Sequence, residues 1–357
     1  MTTIGHLVCL SIETWDSVWR RNQHFATRLV RSGAVERLTF VNPPKPGLAI
    51  RAERRSLEAG VDVVTPPLLV PRRLGGHTPL GWWNRRLTRV ADVVWINDAV
   101  AGAHALDGST PAVYDVTDDW RAFAQGSRDR ARLVAAEDYL STRARTVVCS
   151  LELARRWRDR YGVDADVVQN GVDVAALRSA RPRKLTGPGP HAVYVGTLHR
   201  DRLDLDLLCA LARTGVAGTF HLVGPDHLTA EERSRLVDVG VVLEGISPSS
   251  EVPGWLVAAD VLICPHLVSP FTLSLDAIKA REYLATDRPV VATPSSGFEH
   301  LTAPGLYVAS ANDFAGAMSI ALSAGVGTRE PQQDWTDQAA LFARALSAAC
   351  ETRGASR

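Results

Sequence analysis

Short apolar runs recur along this chain, and each is closed by a polar or glycine-bearing turn. In the first half the runs at 4–11, 38–42, 61–65, 93–97, 112–116, 146–150 and 165–169 have the length and composition of buried strands. Between several of them the apolar positions move to helical spacing, which predicts helices over 18–32, 129–141 and 151–161. Trp19, Phe25, Leu29 and Val30 are candidates for the buried side of the first helix, and Gly33 ends it. Apolar strands alternating with helices mean βαβ units and a mostly parallel sheet covered on both faces.

The pattern breaks once. Residues 177–190, LRSARPRKLTGPGP, are basic, rich in proline and glycine and poor in apolar side chains, the composition of a linker. A second alternating series follows, with strands predicted at 192–195, 219–223, 241–244, 261–265, 290–293 and 306–308, and a helical tail over 335–350. The predicted fold class is α/β, with two Rossmann-like doubly wound domains facing across a cleft. The expected domains are 1–178, 190–332 and a C-terminal helix, 333–357, available to cross back to the first domain.

Composition adds limits. A chain of 357 residues is too long for one ordinary core, and 46% apolar with 22% charged residues describes a globular protein. The net charge of +1 gives no global reason to expect nucleic acid. Five scattered cysteines without CxxC spacing fit reduced thiols in a cytoplasm better than a disulfide framework or a zinc site. The N-terminus lacks the basic region and cleavage site of a signal peptide, and no apolar run approaches the roughly 18 residues of a membrane span.

Ligands of doubly wound sheets bind just beyond the carboxyl ends of the strands. Polar clusters occupy those places at 13–16, 97–98, 117–119, 170–173, 197–202, 224–226 and 269–282. The last is the most informative. In SPFTLSLDAIKAREYLATDRPVVAT a polar turn with Ser274 and Asp276 leads into a helix and then a buried strand. Lys279 and Glu282 lie three apart, hence on one helical face. A lysine near a helix start and a carboxylate one turn on suit a phosphate bonded to a sugar; a surface ion pair on an amphipathic helix is the plainer alternative. Gly196-Thr197 after a strand suits close backbone approach to phosphate. Arg200 and Arg202 add two guanidiniums able to grip its oxygens.

Four segments carry a family resemblance. VQNGVD at 168–173 resembles a "PNGVD" segment, YVGTL at 194–198 a "YVGxL" strand and loop, ADVLICP at 259–265 an "ADVxxxP" strand, and REYLATDRPVVAT at 281–293 an "xEYLAxGxPVVAT" segment. Together they resemble the large retaining, nucleotide-sugar-dependent family of GT-B glycosyltransferases (glycosyltransferase family 4-like), with enzymes of polysaccharide and natural-product biosynthesis, over most of residues 165–295. Trp15 followed by Arg21-Asn22-Gln23-His24 resembles a "W…RPQH" segment in one branch.

The resemblance implies a nucleotide-diphosphate-sugar as co-substrate, held mainly by the C-terminal domain, with no cofactor and no metal. Glu282 matches the second of two family glutamates and would hold the ribose hydroxyls. The first falls at Ser274, a departure that leaves Ser274 or Asp276 to touch the sugar. Gly224, in a segment resembling a "GxG" turn, joins Gly196, Thr197, Arg200, Arg202, Lys279 and Glu282 as a donor-side candidate, and 242–247 is expected beside the base. The N-terminal half would bind a sugar-containing or lipid-linked acceptor. Asp118, then Asp119, are candidates to take the acceptor hydroxyl's proton, with N-capping as the equal alternative. Trp15, Arg21, His24 and Asp98 are further acceptor-side candidates, and Lys279 would stabilise the leaving diphosphate.

Asp164 with Asp166 and Asp204 with Asp206 have Asp-x-Asp spacing, but capping and solvation explain them without a metal. Residues 71–90 interleave five arginines with Trp82 and Trp83. They fit a helix packed on the core, an acceptor platform or a contact with the inner membrane face of a cytoplasmic protein. Two other functions stay open. A sugar-nucleotide epimerase would draw on His266, Asp276 and Glu282. A non-catalytic relative assisting a partner transferase would explain Ser274.

Overall fold

The computed structural model describes residues 3–16, 18–46, 51–57, 60–68, 77–123, 126–275, 278–325, 327 and 332–354. The chain divides into two compact units: Met1–Gln169 with Trp335–Arg357, and Asn170–Asp334.

The strands of the first unit are β1 Ile4–Leu10, β2 Val35–Val41, β3 Lys45–Pro46, β4 Glu53–Ser56, β5 Val61–Thr65, β6 Pro67–Leu68, β7 Val93–Ile96, β8 Ala112–Val116, β9 Arg145–Val148 and β10 Asp166–Val167. Those of the second are β11 His191–Val195, β12 Thr219–Val223, β13 Val242–Gly245, β14 Val261–Cys264, β15 Val290–Ala292 and β16 Leu306–Val308.

Among the described residues, the first unit holds an eight-stranded sheet in the order β10-β9-β8-β7-β1-β2-β5-β4. It is parallel apart from the antiparallel edge strand β4. Its apolar strands are buried on both faces: Leu7, Val8, Cys9, Trp95 and Tyr114 are fully enclosed. The tail helix Trp335–Gly354 belongs to this unit, where Phe342 packs against Phe25 and Trp95 at centroid distances of 5.1 and 4.9 Å. The first helix starts at Arg21 rather than at residue 18, because Arg20 is extended and Gln23 folds back to accept from the Arg20 amide at 3.1 Å.

The second unit holds a six-stranded, all-parallel sheet in the order β13-β12-β11-β14-β15-β16. One face buries Ala192, Tyr194, Leu222 and Ile263 against the helices Leu205–Thr214, Ala230–Val237 and Phe314–Ala324. The other buries Val193, Val223, Leu262 and Cys264 against Trp255 and Tyr283.

The division between units differs from the expected one. Residues 177–190 are not an interdomain linker but part of the second unit. The Arg183 amide donates to the Gly254 carbonyl at 3.1 Å and its guanidinium lies 4.5 Å from the Trp255 ring centroid. A basic, proline-rich segment is here packed down by one arginine. The chain crosses at 169/170 and 334/335, and within the second unit Val172 and Asp334 form a parallel bridge.

Candidate active site

The strand order of the second unit reverses between β11 and β14, so loops leaving these neighbours part to opposite sides and open a crevice at their carboxyl ends. Lys279, on the short helix Ile278–Leu284, reaches this point. The helix is pinned from below, since the buried Tyr283 hydroxyl accepts from the Val195 amide at 2.9 Å. The Lys279 ammonium donates to the Tyr194 hydroxyl at 2.9 Å, lies 3.2 Å from His266 Nε2, and sits 4.4 Å from the Tyr194 ring centroid.

The loops around the ammonium are fitted to it. Gly196 follows β11, and a Cβ there would stand 2.7 Å from Lys279 Nζ. A Cβ on Gly224, after β12, would stand 2.2 Å from the Gly196 carbonyl oxygen. The two glycines are therefore required by packing of the lysine and of the neighbouring loop, beyond any approach of phosphate. Arg202 lies over the Phe271 ring at 5.4 Å, and its charge is felt by His266.

Glu282 is half-buried and makes no hydrogen bond or ion pair among the described residues. Withdrawal from water pushes its carboxyl up to about 7, and Lys279 pulls back more weakly. A carboxyl unpartnered among the described residues offers its acceptor positions to a ligand. The shift also has a stability consequence. Between the ordinary value near 4.5 and about 7 the folded chain keeps a proton that the unfolded chain has released. Stability contributed by this group is therefore complete below about 4.5, falls as pH rises to about 7, and is level above it. Urea midpoints of the wild type should decline relative to Glu282→Gln between pH 5 and 8; parallel midpoints would show that Glu282 titrates normally.

Several sequence candidates are committed elsewhere. The Ser274 hydroxyl is fully buried and donates to the Phe271 carbonyl at 2.7 Å, which takes it away from a donor sugar. Arg200 is exposed and pairs with Glu232 at 3.2 Å, so Arg202 is the arginine turned toward the crevice. Thr197 lies at the crevice, where its carbonyl faces the Tyr194 hydroxyl at 3.4 Å. Asp276 lies outside the described residues, as does part of the turn expected to present helix amides.

In the first unit the expected acceptor side is largely structural. Arg21 is buried in a forked pair with Asp115, at 3.0 to 3.2 Å, and Trp95 Nε1 donates to the same carboxylate. Trp15 is buried edge-on to Phe40 at 4.9 Å, and His24 stacks on Trp335 at 4.4 Å. Asp119 is buried and accepts from Arg156 at 2.7 Å, which removes it as a free base. Asp98 caps the helix Ala99–Ala105, accepting from the Ala101 amide at 3.0 Å, and lines a small recess with Ser11 and Asn42. Asp118 is half-buried just beyond β8, and its carbonyl accepts from the Trp120 amide at 2.9 Å. The aspartates with Asp-x-Asp spacing are likewise in use: Asp204 caps Leu205–Thr214, and Asp166, Asp164 and Asp206 pair with Arg145, Arg158 and Arg235.

On the helix His77–Thr88 the two tryptophans part: Trp83 packs on the core, whereas Trp82 is 66% exposed. Residues 69–76 lie outside the described ones. No helix among the described residues is long and apolar enough to cross a membrane.

Tyr194, Ser296 and the role of His266 escaped the sequence reading. Their signal was strand order: a histidine after β14 is informative only once β14 is known to neighbour β11.

Residues 189–324 match the family described as Glycosyl transferases group 1. A protein of Bacillus subtilis (strain 168) that bears the name of a teichuronic acid biosynthesis glycosyltransferase, TuaH, is 26% identical over 214 residues. The match covers 55% of this chain and 53% of that protein, so the chain spans about half the length of the curated relative it matches. Sucrose-phosphate synthase from Thermosynechococcus elongatus has a TM-score of 0.70 at 15% identity, covering 98% of this chain and 97% of that one. Anabaena HepE in complex with UDP and glucose has a TM-score of 0.64 at 15% identity, covering 97% of this chain and 100% of that one. At such identities the likeness is one of fold. Residues 189–324 thus carry a domain matching the group 1 glycosyl transferases, and the two parallel-sheet units share the fold of these solved structures.

Proposed function

We propose that the chain transfers a sugar from a nucleotide-diphosphate-sugar to a hydroxyl of a small-molecule, glycan or lipid-linked acceptor, with retention and without a metal ion. The observation that carries this reading is the juxtaposition of Glu282, a desolvated carboxyl without a partner among the described residues, and the ammonium of Lys279 at the switch point of the second unit. Glu282 accepts from the ribose hydroxyls. Lys279 and Arg202 face the diphosphate and offset the charge that builds on it as the glycosidic bond breaks, the countercharge a metal would otherwise supply. Asp118 orients the acceptor hydroxyl and receives its proton.

UDP is the first nucleotide to test, because HepE was solved with UDP and glucose. The name of the Bacillus relative favours a polysaccharide pathway. A cytoplasmic enzyme resting on the inner membrane face through the exposed Trp82, with the exposed Arg86 one turn further along the helix His77–Thr88, fits a lipid-linked acceptor.

The test is donor turnover. UDP-glucose and related donors are incubated with the enzyme in EDTA, alone and with simple sugar acceptors, and free UDP is followed. UDP release that disappears in Lys279→Met supports the reading, and the product's anomeric configuration by NMR decides retention. Binding of UDP without turnover of any donor would favour the non-catalytic relative.

A further inference from the structure

We propose that His266 and Tyr194 are positioning residues that hold the Lys279 ammonium at the switch point, aimed at the donor diphosphate. The inference rests on the donor reading above and deepens it. A lysine side chain has four rotatable bonds, and ordering it costs conformational entropy. Here groups of the protein itself supply the order. Nζ is fixed by the Tyr194 hydroxyl at 2.9 Å, by His266 Nε2 at 3.2 Å and by the Tyr194 ring at 4.4 Å.

Both partners are neutral, and that matters. A carboxylate in either place would hold the lysine as firmly but cancel its charge. Neutral acceptors hold it and leave the charge for the ligand. Burial, with Lys279 and Arg202 adding to it, drives His266 well below the ordinary imidazole range, so its ring stays uncharged. Its tautomer is set from the other side. Nδ1 lies 2.8 Å from the Ser296 hydroxyl; donation there leaves Nε2 an acceptor facing both the Lys279 ammonium at 3.2 Å and the Tyr194 hydroxyl at 3.1 Å, so the three groups close one network.

The rest of the loop is built to keep that ring in place. Ser296 is fully buried and takes a left-handed backbone, φ 58°, a conformation that is strained for a residue other than glycine. Its amide donates to the Thr272 carbonyl at 2.8 Å. Thr293 accepts from the His266 amide at 3.1 Å and donates to its carbonyl at 2.7 Å. The loops after β11, β14 and β15 thus converge on one ammonium.

The two nitrogens of His266 can be separated by substitution. Glutamine can place an acceptor where Nε2 stands, whereas asparagine reaches only the Nδ1 position. The experiment measures UDP and uridine affinity by calorimetry for Tyr194→Phe, His266→Asn, His266→Gln and Lys279→Met. The acylation rate of Lys279 in the ligand-free proteins is read by mass spectrometry.

Tyr194→Phe and His266→Asn are expected to weaken UDP about tenfold and leave uridine unchanged. His266→Gln should recover most of the loss, and neither variant should add to Lys279→Met in a double-mutant cycle. Lys279 should acylate several-fold faster in the two loss variants. Equal effects of asparagine and glutamine, parallel losses for uridine, additivity, or an unchanged acylation rate would overturn the proposal. A wild type that binds neither UDP nor uridine while the acylation rates respond as expected would overturn the donor reading alone. The holding of Lys279 would stand.

Discussion

Glu282→Ala is expected to lower kcat/KM for the donor by about 10- to 100-fold, the worth of hydrogen bonds to a charged group of roughly 1.5–3 kcal/mol. The same change is expected to leave the folded chain as stable as the wild type at pH 8, or more so. The carboxyl is desolvated and has no partner among the described residues, so the fold gains nothing from its charge above its pKa of about 7. Loss of activity together with kept or increased stability marks a group retained for a ligand. Initial rates at subsaturating donor and urea melts of the same preparations give both quantities. Glu282→Gln should fall between, since an amide still accepts from a hydroxyl but without charge. Unchanged kcat/KM would remove Glu282 from the donor site. Activity and stability falling together would make it structural.

Asp115→Ala is expected to destabilise the first unit by about 3–5 kcal/mol, because it leaves the Arg21 guanidinium buried and uncompensated. Asp115 is fully buried and also accepts from Trp95 Nε1 at 3.2 Å, so an unsatisfied indole N–H adds to the loss. The double variant Arg21→Met with Asp115→Leu should recover much of it, since an apolar pair of similar volume removes both charges together. UDP affinity should be unchanged in any of these that fold. Chemical denaturation of the single and double variants completes the cycle. A stable Asp115→Ala with weakened acceptor affinity would return Arg21 to the acceptor side, where the sequence had suggested it.

The strands were legible because strands buried on both faces are short unbroken apolar runs. Val61–Thr65, Ala112–Val116 and Thr219–Val223 stand where the pattern predicts them. Glu53–Ser56 was not legible: it is an exposed, charged edge strand, antiparallel to Val61–Thr65, and carries no apolar signal. The strip 177–190 misled because composition shows what a segment is made of and not what it packs against; Arg183 on Trp255 decides that.

The site divides along the same line. Lys279 and Glu282 could be found because one helix sets their spacing. The pairs Arg21–Asp115 and Asp119–Arg156 could not, since their partners lie 94 and 37 residues apart. Polar residues after strand ends were read as facing a ligand, and in the first unit several instead neutralise one another inside the fold. His266 and Ser296 acquire meaning only from the order β11-β14-β15, which no local pattern contains.

The most direct measurement is nucleotide binding in EDTA, by thermal shift and calorimetry. The panel is UDP, GDP, dTDP and ADP on the wild type and Glu282→Ala. One nucleotide, with UDP the first choice, is expected to stabilise the wild type by about 2.7 kcal/mol at 100 times its dissociation constant, and Glu282→Ala much less. No stabilisation of the wild type by any of the four, with or without magnesium, would contradict a donor site in the second unit.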